Sequence, residues 1–272
     1  SEAEILANAF SPGPITFLLE RIPPNPQSAI RNPQSLIPHP SSLIPDLVTA
    51  GSPKVAVRIP SHPLSRKLLK MIDFPLAAPS ANPHKRLSPT TADQVMSGLN
   101  GRIDAVLDGG PCSVGLESTI IDLTGDTPRI VRAGPITRRE LEIVLGSRVE
   151  FPEQHDTVVP GNVAVHYQPQ TPLFLFDTDA LRERLQRLKP DARIAVVHQS
   201  GLQIGGLRGI VHHLRMPDDK ADYARRLYDT LHVADQAGAD AIWMETPPMH
   251  EDWRDIHDRL ARAASIDSGE WD

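Results

Sequence analysis

Between Lys54 and Thr91 the chain alternates in a way that few folds accommodate. Lys54-Val55-Ala56-Val57-Arg58-Ile59-Pro60 is a β-branched, apolar run. His62 to Ile72 then sets Leu64, Leu68, Leu69 and Ile72 at helical spacing, and Leu76-Ala77-Ala78 is a second apolar run. Strand, helix and strand in this order predict a β-α-β unit, with the loop that follows at the C-terminal edge of a sheet, where ligands of open α/β folds sit. That loop, Pro79-Ser80-Ala81-Asn82-Pro83, is held by prolines, and its small side chains let a ligand approach the backbone. Hydroxyls and amides bond phosphate or carboxylate oxygens without burying a charge. Lys85 and Arg86 read as surface charges, and Ser88-Pro89-Thr90 opens a helix whose N-terminus suits an anion. By itself the loop is a capped, proline-rich turn; its place after the β-α-β unit is what gives it a functional reading.

The neighbouring segments extend the same pattern. Glu2 to Phe10 reads as the end of an amphipathic helix, and a chain that opens inside an element, on Ser1, is expected to have lost its beginning. Ser11-Pro12-Gly13-Pro14 is a tight turn into the strand Ile15-Thr16-Phe17-Leu18-Leu19, where Thr16 is a ligand contact or a plain strand threonine. Thr91 to Leu99 predicts a helix, Ile103 to Leu107 a strand, and Asp108-Gly109-Gly110-Pro111 a turn. Glu117-Ser118-Thr119 stands at the mouth of a further strand. Asp108 and Glu117 form either an acid/base pair or a turn aspartate and a strand-edge glutamate. Arg132 ends a strand, and Thr137 to Leu145 is a helix with the capping box Thr137…Glu140 and Gly146 as its stop. An arginine at a strand end, such as Arg58, is a solvated terminus or, facing a pocket, a clamp for carboxylate or phosphate.

Two stretches break the alternation. From 23 to 45, Asn-Pro-Gln-Ser and Ser-Leu-Ile-Pro each recur, a Pro/Ser-rich repeat with neither helical nor strand period. It predicts a disordered insertion. Periodicity lapses again over 147–172. Strand and helix patterns then resume at 193–198, 222–236, 239–245 and 252–264, predicting a smaller α/β domain with a parallel sheet. The histidines at 212, 213, 232, 250 and 257 lack metal-ligand spacing. No P-loop, G-x-G-x-x-G or nucleophile elbow is present in the sequence.

Charge and cysteine content narrow the partners. The net charge of −6 is the sum of +1 over residues 1–150 and −7 over 151–272, and aromatics make up only 4%, which argues against a general nucleic-acid surface. The 27 prolines are about twice the usual share. One cysteine, Cys112, excludes an internal disulfide and fits a reducing cytoplasm. No apolar run is long enough to span a membrane, and no membrane partner is expected.

Taken in order, the motifs Ser-Pro-Gly-Pro-Ile-Thr (11–16), Val-Ala-Val-Arg-Ile-Pro (55–60), Ala-Pro-Ser-Ala-Asn (78–82) and Ser-Pro-Thr-Thr (88–91) form a set. Asp-Gly-Gly-Pro-Cys (108–112), Gly-Leu-Glu-Ser-Thr-Ile (115–120), Arg-Ala-Gly-Pro-Ile-Thr (132–137) and His-Tyr-Gln-Pro (166–169) complete it. The chain resembles the YrdC/Sua family of threonylcarbamoyl-AMP synthases in its long form. The resemblance implies an α/β fold: a YrdC-like twisted mixed sheet with helices, plus a smaller Rossmann-like C-terminal domain. It divides the chain into a catalytic domain at 1–146, a linker or lid at 147–172 and a Sua-type domain at 173–272.

The implied reaction joins L-threonine, bicarbonate and ATP into threonylcarbamoyl-adenylate and pyrophosphate, with Mg2+ on the ATP phosphates. A tRNA-modifying transferase complex then receives the product. By resemblance, Thr16, Ser80, Ser88, Arg132 and Tyr167 contact the nucleotide, while Arg58, Ala78 and Ser118 contact the threonine and Asn82 supports either ligand. No residue is assigned as catalytic and none as a metal ligand. The family's first strand and Lys/Arg motif are expected before Ser1, Ser11 stands where the family has tryptophan, and the 23–45 repeat is not a family feature. Rival readings are a double-stranded RNA or tRNA-binding module without catalysis, and an inactive fragment of the enzyme. A hydrogenase-maturation carbamoyl-adenylate domain is a third, though its acylphosphatase and zinc-finger segments are missing from the sequence.

Overall fold

The computed structural model describes residues 1–21, 44–152, 157 and 167–265. The repeat expected at 23–45 lies outside the described residues except for Ile44 and Pro45, as does half of the expected linker at 147–172. By contacts the chain divides into two compact units, Ser1–Pro79 with Glu117–Val159 and Ser80–Leu116 with Pro160–Asp272. The first carries a mixed sheet, the second a parallel one, each with helices. This is the α/β class that the motifs imply.

In the first unit, α1 (Glu2–Phe10) starts on a capping box in which Ser1 and Glu4 satisfy each other's backbone N–H. β1 (Ile15–Glu20) is followed by the short α2 (Asp46–Thr49) and by β2 (Lys54–Val57). After α3 (Pro63–Leu69) the unit resumes with β3 (Thr119–Asp122) and β4 (Arg129–Arg132). The sheet order is β2-β1-β3-β4: β1 is antiparallel to β2 and parallel to β3, and β3 is antiparallel to β4. Alternate inward residues of these strands, Ile15, Phe17, Ile121 and Ile130, pack with Leu6 of α1 and Leu141. Asp122 is buried at the end of β3 and pairs with Lys54 at 2.9 Å and Arg129 at 3.5 Å, tying β3 to β2 across β1 and to its direct neighbour β4.

The second unit contributes α4 (Ala92–Leu99), capped by Thr91. Back in the first unit, α5 (Arg138–Leu145) has the expected Thr137–Glu140 capping box and the left-handed Gly146 stop. The rest of the second unit runs β5 (Leu173–Phe176), α6 (Thr178–Gln186), β6 (Ile194–His198) and β7 (Ile210–Arg215). It finishes with α7 (Lys220–Asp235), β8 (Ala241–Glu245) and α8 (Arg254–Ala263). All pairings in the order β5-β8-β6-β7 are parallel. Strands buried on both faces read as continuous apolar runs, and every residue of β6 and β8 is buried.

Three expected elements differ. β2 is antiparallel to its neighbour, and neither Leu76–Ala78 nor Ile103–Leu107 forms a strand. Leu76 is 47% and Leu107 61% exposed. A three- to five-residue apolar run has no intrinsic reason to stay extended unless a ladder satisfies its N–H and C=O groups, and among the described strands none pairs with these. Conversely, β5, α6 and β7 were not anticipated.

Candidate functional site

β1 and β3 run side by side with Ile15 opposite Thr119 and Thr16 opposite Ile120, so the residues at their entrances come together. Ser118, just before β3, is buried and its hydroxyl lies 2.6 Å from that of Thr16. Arg132 leaves the end of β4 and closes over the same point. Its Nε and Nη2 donate to the Ser118 carbonyl at 3.1 and 2.9 Å, and Nη2 also donates to the Ser118 hydroxyl at 3.0 Å. The result is a charged donor group and two hydroxyls held in one cluster, the donor set that binds a carboxylate or phosphate oxygen.

Arg58 follows β2, and its Nε donates to the carbonyl of Gly13 at 3.1 Å. The turn that supplies this carbonyl is also held by the amide of Gly13, which donates to Ile59 at 2.9 Å. A Cβ on Gly13 would sit 2.2 Å from the Phe10 carbonyl, so only glycine fits this turn. Four of the five assigned residues of the first unit are thus built on the 11–16 turn, the β2 end, the β3 entrance and the β4 end. Ala78, the fifth, is exposed and takes no part in the cluster.

The second unit holds the remaining four. Ser80 is exposed, and Ser88 is buried with its carbonyl 3.2 Å from His232 Nε2. Asn82 donates from its amide to the carbonyls of Pro83 and Arg86 at 3.0 and 2.9 Å, closing its own loop, and lines a cleft of about 520 Å³ with Gln94, Gln168 and His232. Tyr167 is 1% exposed, in a left-handed conformation at φ 63°, with its ring 5.6 Å from that of Tyr228 and the Arg259 guanidinium 5.8 Å away. Its ring is therefore part of this unit's core. Asp108 accepts from the Gly110 amide at 2.8 Å, a turn contact.

Thr119 is named in the sequence only as the last of a Glu-Ser-Thr trio, with no role of its own. It is wholly buried, and its hydroxyl donates to the Ile136 carbonyl at 2.8 Å and accepts from the Ile136 amide at 3.0 Å. The only sequence signal is its place between Ser118 and an apolar strand. No group of three or more His, Cys, Asp and Glu able to hold a metal occurs among the described residues.

A cluster of one guanidinium and two hydroxyls on a mixed sheet, with a parallel α/β unit in the same chain, defines a two-part α/β protein. Residues 1–134 match the family described as Telomere recombination (Sua5/YciO/YrdC), and residues 136–265 match the C-terminal domain of threonylcarbamoyl-AMP synthase. The threonylcarbamoyl-AMP synthase of Pyrococcus abyssi is 31% identical over 90% of this chain and 68% of its own length. That of Bacillus subtilis is 33% identical over 80% of this chain and 65% of its own. The structure of P. abyssi Sua5 complexed with L-threonine superposes with a TM-score of 0.78 at 27% identity, covering 98% of this chain and 76% of that one. The chain belongs to the threonylcarbamoyl-AMP synthase family, nucleotidyltransferases that serve tRNA threonylcarbamoyladenosine formation. It spans about two thirds of the length of these curated relatives.

Proposed function

We propose that this chain converts L-threonine, bicarbonate and ATP into L-threonylcarbamoyl-AMP and pyrophosphate, and that a tRNA-modifying transferase complex takes the product. The observation that carries this reading is the Thr16–Ser118–Arg132 cluster, with Arg58 anchored beside it through the Gly13 turn. The reaction needs little from side-chain acids or bases. The threonine amine captures CO2 as a carbamate, and a carbamate oxygen attacks the α-phosphorus while pyrophosphate leaves. Holding two anions in line and neutralising their charge supplies most of the acceleration in such a transfer.

In this reading Arg58 and Ser118 take the threonine carboxylate and hydroxyl side, with the Ala78 backbone, while Thr16 and Arg132 take the nucleotide. The roles of Ser80, Asn82, Ser88 and Tyr167, all in the second unit, rest on the motif resemblance. Magnesium, carried on the ATP phosphates rather than by a protein carboxylate cage, would offset their charge. The chain's single cysteine, the exposed Cys112, fits a reducing cytoplasm. Among the described residues no helix is long and apolar enough to cross a membrane.

The test is pyrophosphate release from ATP that depends on both L-threonine and bicarbonate. Release that ignores either substrate, or none at all, overturns the proposal. Salt-sensitive binding of unmodified tRNA without ATP turnover would favour the RNA-binding reading instead.

A further inference from the structure

We infer that Thr119 is a positioning residue that sets the Ser118–Arg132 cluster, an inference that rests on the proposed reaction for its kinetic readout. Three connections meet at this one residue. Its amide donates to the Pro14 carbonyl at 3.0 Å, which fixes β3 against the turn that carries Gly13, the partner of Arg58. Its hydroxyl both donates to and accepts from the backbone of Ile136, at 2.8 and 3.0 Å, and so satisfies a residue that lies beyond the end of β4. Its N-terminal neighbour is Ser118, whose carbonyl and hydroxyl hold Arg132.

The geometry is tight enough for this to matter. A Cβ built on Gly134 would lie 2.3 Å from the Thr119 amide nitrogen and 2.7 Å from the Ser118 carbonyl carbon. The 132–137 segment therefore lies directly on the 118–119 peptide, closer than any side chain allows. The β3/β4 register shifts between Ile120 and Ile121, and the last paired position is Ile120 with Arg132, so ladder pairing stops one residue short of Thr119. In its place the Thr119 hydroxyl acts as a side-chain substitute for a strand partner. Losing it leaves the Ile136 amide and carbonyl without that partner and frees the segment that aims Arg132.

Thr119→Val keeps the side-chain shape and removes both bonds, while Thr119→Ser keeps the hydroxyl. In the 272-residue chain, Thr119→Val is expected to raise the KM for L-threonine and for ATP about ten-fold with kcat changed less than about two-fold, and Thr119→Ser to restore both. A change in overall stability alone would not split KM from kcat in this way. A second readout needs no turnover: hydrogen exchange at the Arg132 Nε–H, followed by nitrogen-15 NMR, is expected to quicken in Thr119→Val and not in Thr119→Ser. Should Thr119→Val fail to fold, Thr119→Cys, which drops the γ-methyl and puts a weakly hydrogen-bonding thiol in place of the hydroxyl, carries the same two measurements. Folded Val or Cys variants with unchanged KM and unchanged Arg132 exchange overturn the inference. If the unmodified chain releases no pyrophosphate, the proposed reaction falls, and the Arg132 exchange comparison still decides the role of Thr119.

Discussion

The hydroxyl oxygens of Thr16 and Ser118 lie 2.6 Å apart although 102 positions separate the two residues in sequence. Because Arg132 already donates to the Ser118 hydroxyl, that oxygen is used as an acceptor on one side. When Thr16 donates to it as well, the Ser118 proton is left to point at a ligand oxygen. Ser118→Ala removes that donor and leaves the Arg132 contact to the carbonyl in place. Its expected effect is a rise of about ten-fold in the KM for L-threonine, the equivalent of about 1.4 kcal/mol. Steady-state pyrophosphate release measures it, and an unchanged KM removes Ser118 from the threonine site.

Arg58 offers a sharper test, since its Nε is committed to the Gly13 carbonyl. A guanidinium can hold a backbone carbonyl at one edge and a carboxylate at another; an ammonium on a flexible stem cannot reproduce both. Arg58→Ala should raise the KM for L-threonine by about ten- to a hundred-fold, with a smaller effect on ATP, and Arg58→Lys should recover little of it. Full recovery by lysine would show that only its charge matters.

Local chemistry was legible wherever a residue satisfied its own neighbours. The Thr137–Glu140 box and the Gly146 stop follow from side chains reaching three or four positions along a helix, whereas the Ser1–Glu4 box that starts α1 was not read. The fully buried strands β6 and β8 were legible too, as apolar runs of the right length. What was not legible depends on partners distant in sequence. Leu76–Ala78 has the composition of a strand and remains a loop, while Ile210–Arg215, with two central histidines, is a strand because β6 pairs with it. The motifs pointed to Thr16, Ser118 and Arg132 separately; that they touch is a product of β1 lying parallel to β3. Thr119 was missed because its hydroxyl serves a residue 17 positions away.

Gly115 is a position where the second unit tolerates no side chain. It has φ +87°, and a Cβ would fall 2.5 Å from both the Cα and the carbonyl oxygen of Arg225 in α7. Left-handed strain alone costs about 1–3 kcal/mol for a non-glycine residue, and the backbone clash adds to it. Gly115→Ala should therefore lower the urea midpoint clearly. All three tryptophans of the chain lie beyond residue 160, and Trp243 and Trp253 are buried in this unit, so tryptophan fluorescence reports on its unfolding. An unaltered midpoint would mean that the 108–116 segment is not held against α7.

Glu245, at the end of β8, ties three elements through one buried carboxylate. It accepts from the Thr178 hydroxyl at 2.5 Å and from the amides of Gln199 and Ser200 at 2.7 and 2.8 Å, joining β8 to the start of α6 and the end of β6. Burial is the largest single influence on its pKa and pushes it up. The Thr178 hydroxyl and the Ser200 and Gln199 amides together outweigh burial, so the pKa lies below the ordinary glutamate value. With the folded pKa depressed, the unfolded chain binds the proton more readily. The stabilisation is therefore complete above the unfolded glutamate pKa of about 4.3 and is lost as pH falls through the lower folded value. Glu245→Gln places an NH2 group against at least one donor, and should cost about 1–3 kcal/mol at pH 7. That gap should narrow as pH is lowered past the glutamate range, where the wild-type carboxylate is protonated too. Urea unfolding followed by tryptophan fluorescence between neutral and acid pH measures it. A gap that stays constant across that range would show that the ionised carboxylate is not what holds the three elements together.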